Sequence, residues 1–210
     1  METKIENHTT RMAALMGRLR REMNGAVVES MQRAGVRGEL NYGVSIPTIR
    51  EIAAQMAPDH SFARFLYRQQ VRELRLAAAT IADPEALTVD ELAEWVDGVT
   101  HLEMLDEVAL RCFSRAPRPI HEYLAAEWLC GREPMRCYVA LMTLNRTAYP
   151  PEEVTPRLYG ALERFAQERN VARAALAYCT FHFGALRLEE LPDSESGRFI
   201  REELTALFGL

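Results

Sequence analysis

Helical periodicity runs through nearly every segment of the sequence, and it constrains the fold more than any other feature. Apolar residues recur at spacings of three and four in two clear series: Leu102, Leu105, Ala109, Cys112 and Phe113, and then Leu158, Ala161, Leu162 and Phe165. Each series forms one apolar stripe along a helix, and the stripe needs a neighbouring helix to cover it. No segment shows the period-two alternation of β-branched residues that predicts a strand. The sequence therefore predicts an all-α protein.

The periodic segments divide into short helices joined by short loops. Helices are predicted near residues 10–34, 47–57, 60–70, 72–82, 89–97, 101–114, 118–129, 134–146, 155–168, 171–183 and 195–208. From residue 47 onward the helices pair with a period of roughly 30 to 38 residues, which is typical of helical-repeat proteins. This pattern favours an α-α superhelix of antiparallel helix pairs, folded as one domain over residues 1–210.

Helix start signals support this division. Thr88 with Glu91 and Thr100 with Glu103 have the spacing of a capping box, in which hydroxyl and carboxylate satisfy backbone N–H groups. Further starts are predicted at three positions: Ser45 before Ile46-Pro47, Thr155 before Pro156, and the pair Asp193-Ser194. Stops are predicted at four positions: Gly98, Gly131, Pro150-Pro151 and Gly184.

Composition and cysteine usage indicate a cytoplasmic protein. Hydrophobic residues make up 48% of the chain and charged residues 26%, as in an ordinary globular protein. Met1–Thr10 lacks the apolar region of a signal peptide, and no run is apolar and long enough to span a membrane. The four cysteines show no metal-binding spacing, so we expect buried free thiols.

Charge is distributed unevenly along the chain. The net charge is -5, but residues 1–81 carry 12 basic against 8 acidic residues, and the remainder carries 13 against 22. Lys4 is the only lysine, so almost every basic residue is an arginine. A guanidinium group can bind two phosphate oxygens at once, so the excess of arginine over lysine is consistent with phosphate binding. A GC-rich genome also favours arginine codons, and both explanations for this excess stay open.

Strong enzymatic signatures are absent from the sequence. There is no P-loop, no dinucleotide-binding glycine motif, no nucleophile elbow and no HExxH zinc motif. The five histidines stand alone, and a lone histidine is more often a surface or core residue than a metal ligand. The sequence therefore predicts neither a cofactor nor a metal ion.

The segment from Val99 to Val108 opens a predicted helix with several acidic residues. Glu103 is expected to serve as the acid of the capping box. Asp106 lies about one turn inside the helix, near the positive end of the macrodipole, which keeps a carboxylate ionised. Acids are common in first helical turns for this reason alone, so a structural and a functional role for Asp106 both stay open.

Four segments in order resemble the AlkD-like DNA alkylation repair glycosylases, which are built from HEAT-like helical repeats. The resemblance spans roughly residues 40–185, and the segments are Asn41–Ala53, Val71–Ala79, the helix start around Asp106, and Glu133–Ala140. The first contains the pattern Tyr-Gly-Val-Ser-Ile-Pro-Thr-Ile-Arg, and the second an Arg-Glu pair before an alanine-rich helix. The third matches the helix start that carries the family's catalytic aspartate.

The resemblance implies an activity on double-stranded DNA. The family hydrolyses the N-glycosidic bond of N3- or N7-alkylated purines, and no cofactor is needed because the cationic base is already a good leaving group. Asp106 would then be the catalytic carboxylate that stabilises an oxocarbenium-like sugar. Arg136, Arg50 and Arg173 would contact phosphates along a concave face.

Two family positions differ in this chain. The tryptophan four residues before the aspartate is replaced by Leu102, and a later lesion-facing tryptophan by Ala177. Trp95 and Trp128 lie at apolar helix spacing and are expected to pack in the core. Three hypotheses follow: an active alkylpurine glycosylase, a helical-repeat protein that binds DNA without cutting it, or a scaffold for protein partners.

Overall fold

The computed structural model describes residues 2–35, 39–99 and 101–209, and the side chains of all of these except residues 2–6. Within these ranges the protein is all-α, as the sequence predicted, and it has no strand beyond an isolated bridge between Leu40 and Val71. Contacts divide the chain into two compact units. The first comprises residues 1–87 and 100–112, and the second comprises residues 88–99 and 113–210. The predicted single domain stays a prediction.

The first unit contains six α-helices in its described residues, and short 3₁₀ helices over Arg20–Glu22 and Pro84–Ala86. The α-helices are α1 (Glu2–Leu19), α2 (Gly25–Arg33), α3 (Ile46–Ala53), α4 (His60–Tyr67), α5 (Arg72–Ile81) and α6 (Leu102–Glu107), which continues as a π-helical turn over Val108–Cys112. Helix α5 packs against α3, α4 and α6. Its small alanine side chains at 77, 78 and 79 are fully buried, so the neighbouring helices can approach closely.

The second unit contains five α-helices in its described residues. They are α7 (Arg118–Tyr123), α8 (Pro134–Leu144), α9 (Pro151–Arg164), α10 (Arg169–Phe181) and α11 (Glu195–Phe208), with a π-helical turn over Leu124–Trp128 after α7. Short 3₁₀ segments cover Val89–Trp95 and Phe113–Arg115. Helix α10 packs against α8, α9 and α11, which leaves only part of its surface exposed.

Several predicted helix starts are confirmed. Ser45 accepts a hydrogen bond from the Thr48 N–H at 3.2 Å, and Ser194 accepts one from the Gly197 N–H at 3.1 Å. Thr88 and Glu91 form the predicted capping box, although the segment that they open is 3₁₀ rather than α-helical. Capping side chains therefore located helix ends without fixing the helix type.

Several predicted boundaries were wrong, and the helix predicted to begin at residue 10 begins at Glu2. The predicted helix 10–34 is broken, because the Asn24 side chain caps α2 and the Asn24 N–H donates to the carbonyl of Tyr42. Helix α9 begins at Pro151, not at Thr155, so the Pro150-Pro151 pair is a start rather than a stop. Proline fits a first turn because it lacks the N–H that would be unsatisfied there.

The loop over residues 40–44 is held by a buried charge network at the start of α5. Glu73 is fully buried and accepts hydrogen bonds from the N–H groups of Tyr42 and Val44 at 3.2 and 3.4 Å. The Arg72 guanidinium donates to Glu73 at 3.1 Å and to the Val44 carbonyl at 3.0 Å. The Arg-Glu pair of the resemblance therefore has a structural role, because it anchors the loop of the first segment.

Gly43 makes this loop conformation accessible. Its φ of +70° lies in the left-handed region, and a Cβ atom at this position would lie 2.2 Å from the Asn24 carbonyl oxygen. No other residue type fits both requirements without a shift of the backbone.

Candidate functional site

Helix α6 in the first unit carries three carboxylates, Glu103, Asp106 and Glu107. Glu107 is buried, whereas Glu103 and Asp106 are each half-buried. The helix holds only six residues before the π-helical turn over Val108–Cys112. Such turns widen a helix locally and occur often at functional sites. The three carboxylates nevertheless have different surroundings.

Glu107 is held by Arg50 from α3. The Arg50 Nε donates to Glu107 Oε2 at 2.9 Å, and the Arg50 Nη2 donates to Oε1. The hydrogen bond to Glu107 raises the pKa of the Arg50 guanidinium. Because the Glu107 side chain is only 3% exposed, moving Arg50 to a phosphate would leave a buried carboxylate without its main counterion. No local sequence pattern indicates this pairing, because the two residues are 57 positions apart.

Glu103 is held by Arg72, the same residue that anchors the loop over residues 40–44. Arg72 donates from Nε to Glu103 Oε1 at 2.5 Å and from Nη2 to Oε2 at 3.0 Å. The expected capping box involves Thr100, which lies outside the described residues. Both carboxylate oxygens of Glu103 accept hydrogen bonds from the Arg72 guanidinium, which fixes α6 to α5.

Asp106 is the remaining carboxylate of α6. It is half-buried and is the fifth of the six residues of this helix. It lies about one turn inside the helix, as the sequence predicted. Its catalytic role stays a prediction.

Arg136 lies at the start of α8 and forms a surface ion pair. Its Nε donates to Asp97 Oδ1 at 2.9 Å, and its guanidinium carbon lies 5.6 Å from the centre of the Trp128 ring. The side chains of Arg136 and Asp97 are 32% and 53% exposed. Since exposed ion pairs contribute only about 0–1 kcal/mol, a phosphate can replace Asp97 at little cost. The ion pair of Arg136 is therefore more easily exchanged for another anion than that of Arg50 with buried Glu107.

Arg173 lies on the exposed face of α10, one helical turn after Arg169. Within the described ranges, neither arginine takes part in an ion pair or in a side-chain hydrogen bond. Both line a surface cavity of about 280 Å³ together with Gln167, Glu195 and Ser196. We call Arg169 and Arg173 the α10 arginine pair. Sequence reasoning missed Arg169, because the predicted helix began at residue 171. The spacing of four residues between Arg169 and Arg173 could have indicated that both lie on one face of a helix.

The positions of the two family tryptophans provide no aromatic surface. Leu102 is half-buried at the start of α6, and Ala177 exposes a methyl group on α10. Trp95 and Trp128 are 1% and 3% exposed, so the expectation that they pack in the core is confirmed. A cationic base therefore finds no stacking partner at either family position.

Metal-binding clusters and reactive thiols were the other candidates for a functional site. Within the described ranges, no group of three or more His, Cys, Asp and Glu side chains is arranged to hold a metal ion. Burial raises the pKa of the Cys137 and Cys179 thiols to about 12, which keeps both unreactive. Cys112 is also buried, but Cys130 is exposed, so the expectation that all four cysteines are buried was wrong.

None of the helices in the described part of the chain is long and apolar enough to cross a membrane.

Comparisons with known proteins agree with the fold. A solved structure described as belonging to a new family of proteins related to the HEAT-like repeat DNA glycosylases, with affinity for branched DNA structures, matches with a TM-score of 0.70. The match covers 92% of this chain and 94% of that chain at 16% identity, which establishes the HEAT-like fold. No curated protein matches the sequence. The family model for DNA alkylation repair enzymes matches residues 15–170. The chain therefore belongs to the DNA alkylation repair enzyme family.

Proposed function

We propose that this protein binds DNA through the α10 arginine pair and recognises branched DNA without excising bases. The observation that carries the proposal is that Arg169 and Arg173 are exposed and form no ion pair within the described residues. Two like charges at this spacing destabilise a helix by about 0.2–0.5 kcal/mol unless an anion lies between them. Neighbouring phosphates of a DNA strand are such anions.

The other predicted phosphate contacts fit this proposal to different degrees. Arg136 belongs to the same unit as the α10 arginine pair, and its exposed ion pair with Asp97 is easily exchanged. We propose it as a further phosphate contact. Arg50 is a weaker candidate, because buried Glu107 requires its charge.

Binding without excision is supported by the residues at the two family tryptophan positions. An aromatic ring can stabilise a cationic alkylpurine by about 2 kcal/mol when the contact is desolvated. Leu102 and Ala177 provide no such stabilisation. The similar solved structure, which is related to the glycosylases, has affinity for branched DNA, and we propose the same substrate class here.

Affinity for branched and linear DNA tests the proposal. Wild-type protein is titrated into a fluorescently labelled four-way junction and into a linear duplex of the same sequence, at low salt. We expect tighter binding of the junction by about 10-fold or more, because the branch point presents strands that do not continue as a regular duplex. Equal affinities for the two DNAs would contradict the proposal that the protein recognises branched DNA. If the protein binds neither DNA, only the hypothesis of a scaffold for protein partners would remain.

Excision by Asp106 is the second candidate function. It is favoured by one observation: Asp106 on α6 is only half-buried, at the position where the family resemblance places the catalytic carboxylate. An ionised carboxylate at that position is able to stabilise an oxocarbenium-like sugar during hydrolysis of an N-glycosidic bond. We rank this function second because no aromatic ring occupies position 102 or 177.

Release of 7-methylguanine and 3-methyladenine from methylated duplex DNA separates the two functions. Under the first proposal, wild-type protein releases no more alkylpurine than a reaction without protein. Release by the wild type that is lost in Asp106→Asn, but not in the surface control Asp90→Asn, would instead establish excision. Asp90 is exposed in the 3₁₀ segment Val89–Trp95, so its replacement leaves α6 unchanged.

A further inference from the structure

Phe181 is an exposed aromatic residue at the end of α10. Its side chain is 75% exposed, the largest value among the exposed large hydrophobic residues that the structure describes. Leaving a phenyl ring in water forgoes about 2 kcal/mol that burial would contribute to folding. The location of this ring, and not only its exposure, indicates a binding role.

Phe181 continues the row of exposed positions that contains the α10 arginine pair. Positions 169, 173, 177 and 181 are all exposed and lie four residues apart, and we call Arg169, Arg173, Ala177 and Phe181 the α10 row. Side chains four residues apart on a helix are about 6 Å apart along its axis. The row therefore presents two positive charges, a gap left by the small Ala177 side chain, and then an aromatic ring.

The charge of α10 differs from that of the surrounding sequence. Residues 82–210 carry more acidic than basic side chains, yet Arg169–Phe181 contains no Asp or Glu. No acidic side chain of α10 itself can therefore pair with the two arginines of the row. This arrangement favours a ligand with negative charge and a flat apolar face.

Neighbouring rings hold Phe181 in a defined orientation. The His182 ring packs edge-on against Phe181 with centroids 5.0 Å apart, and it packs on Tyr178 with centroids 4.4 Å apart. Tyr178 is fully buried, so this stack is fixed to the core of the unit. Burial also lowers the pKa of His182, which keeps its ring neutral at pH 7. A ring supported in this way loses little freedom when a ligand stacks on it.

We propose that the α10 row binds a single-stranded segment at the branch point of DNA, with an unpaired base stacked on Phe181 and phosphates of the same strand held by Arg173 and Arg169. The inference rests on the proposed function and specifies which part of the substrate is recognised. Arginines that follow the backbone beside an aromatic ring are the usual elements of single-strand binding, and they tolerate any sequence because every base has a π-face. A base inside a regular duplex cannot reach Phe181, whereas a base beside a branch point can.

A junction with one unpaired 2-aminopurine beside its branch point tests the inference, because stacking quenches the fluorescence of this base. We expect Phe181→Ala to bind this junction about 10-fold more weakly, the effect of losing about 1.4 kcal/mol of stacking, and to lose the quenching. Phe181→Tyr should keep both. The control Leu207→Ala removes another exposed apolar side chain of the same unit, 61% exposed, and should change neither.

The outcomes distinguish this inference from the function on which it rests. If Phe181→Ala binds and quenches as the wild type does, the stacking role is overturned, and branched-DNA binding through the α10 arginine pair stands. If wild-type protein binds no DNA, both are overturned. If poly-glutamate displaces the junction as effectively as single-stranded oligothymidylate of equal charge does, the row binds acidic peptide and the inference is wrong.

Discussion

Replacing Arg169 and Arg173 together by glutamine is expected to weaken binding of a four-way junction by about 10- to 100-fold at low salt, or about 0.7–1.4 kcal/mol for each arginine. Both side chains are exposed and have no carboxylate partner among the described residues, so their charges are available to phosphate. The measurement is fluorescence anisotropy of a labelled junction. Loss of one arginine is expected to give about half of the change in free energy.

A matched control separates this effect from a general loss of positive charge. Arg118 on α7 is 68% exposed in its side chain and pairs with Glu122 four residues later. Arg118→Gln changes the net charge by one in the same unit, and we expect less than about a 2-fold effect because the arginine is already neutralised. If Arg118→Gln and Arg173→Gln weaken binding equally, the charge of the protein matters and the location on α10 does not.

Replacing Arg72 by methionine is expected to lower the free energy of unfolding by about 3–5 kcal/mol, because a fully buried carboxylate, Glu73, then lacks its counterion. The substitution also removes the pair with Glu103 that joins α5 to α6. Methionine fills a similar volume, so the loss reports mainly on charge and hydrogen bonds. Urea unfolding followed by circular dichroism measures it.

Two further variants test the cause of this loss. Adding Glu73→Gln to Arg72→Met should restore part of the stability, since the amide still accepts from the loop N–H groups and no unpaired charge remains. Arg21→Met alters an exposed arginine of the same unit and should change stability by less than about 0.5 kcal/mol. A similar small change for Arg72→Met would show that the network does not anchor the loop.

The helices were predictable from sequence because each buries one apolar stripe, and the spacing of that stripe is a local property. Ser45, Ser194 and the Thr88–Glu91 pair marked helix starts for a similar reason, since a cap acts within three residues. Boundaries that depend on distant residues were missed. The break at Asn24 is one, because it is stabilised by the carbonyl of Tyr42, which lies 18 residues later in the sequence.

The candidate site was less predictable, because its charges are paired over long separations in sequence. Arg50 and Glu107 are 57 residues apart, and Arg136 and Asp97 are 39 apart. Nothing in the local sequence distinguishes a paired arginine such as Arg50 from an unpaired one such as Arg173. The family resemblance placed both among the phosphate contacts, and only the structure shows that one of them neutralises a buried carboxylate.

Phe181 illustrates a different limit of sequence reasoning. Its spacing of eight from Arg173 is visible in the sequence, but an apolar residue in a predicted helix over 171–183 carries no local sign of whether it faces the core or the solvent. Exposure of an aromatic ring depends on where the neighbouring helices end, and that is a property of the packed structure. A search for aromatic residues in line with arginines at spacings of four would have identified the α10 row.

The dependence of junction affinity on salt, compared between wild-type protein and Arg169→Gln/Arg173→Gln, tests most directly whether the α10 arginine pair neutralises phosphates. Each neutralised phosphate contributes a slope of about -0.9 to the logarithm of affinity against the logarithm of salt concentration. We expect the slope to be shallower by about 2 in the double variant. Identical slopes for the two proteins would contradict it, because the bound phosphates would then lie on another surface.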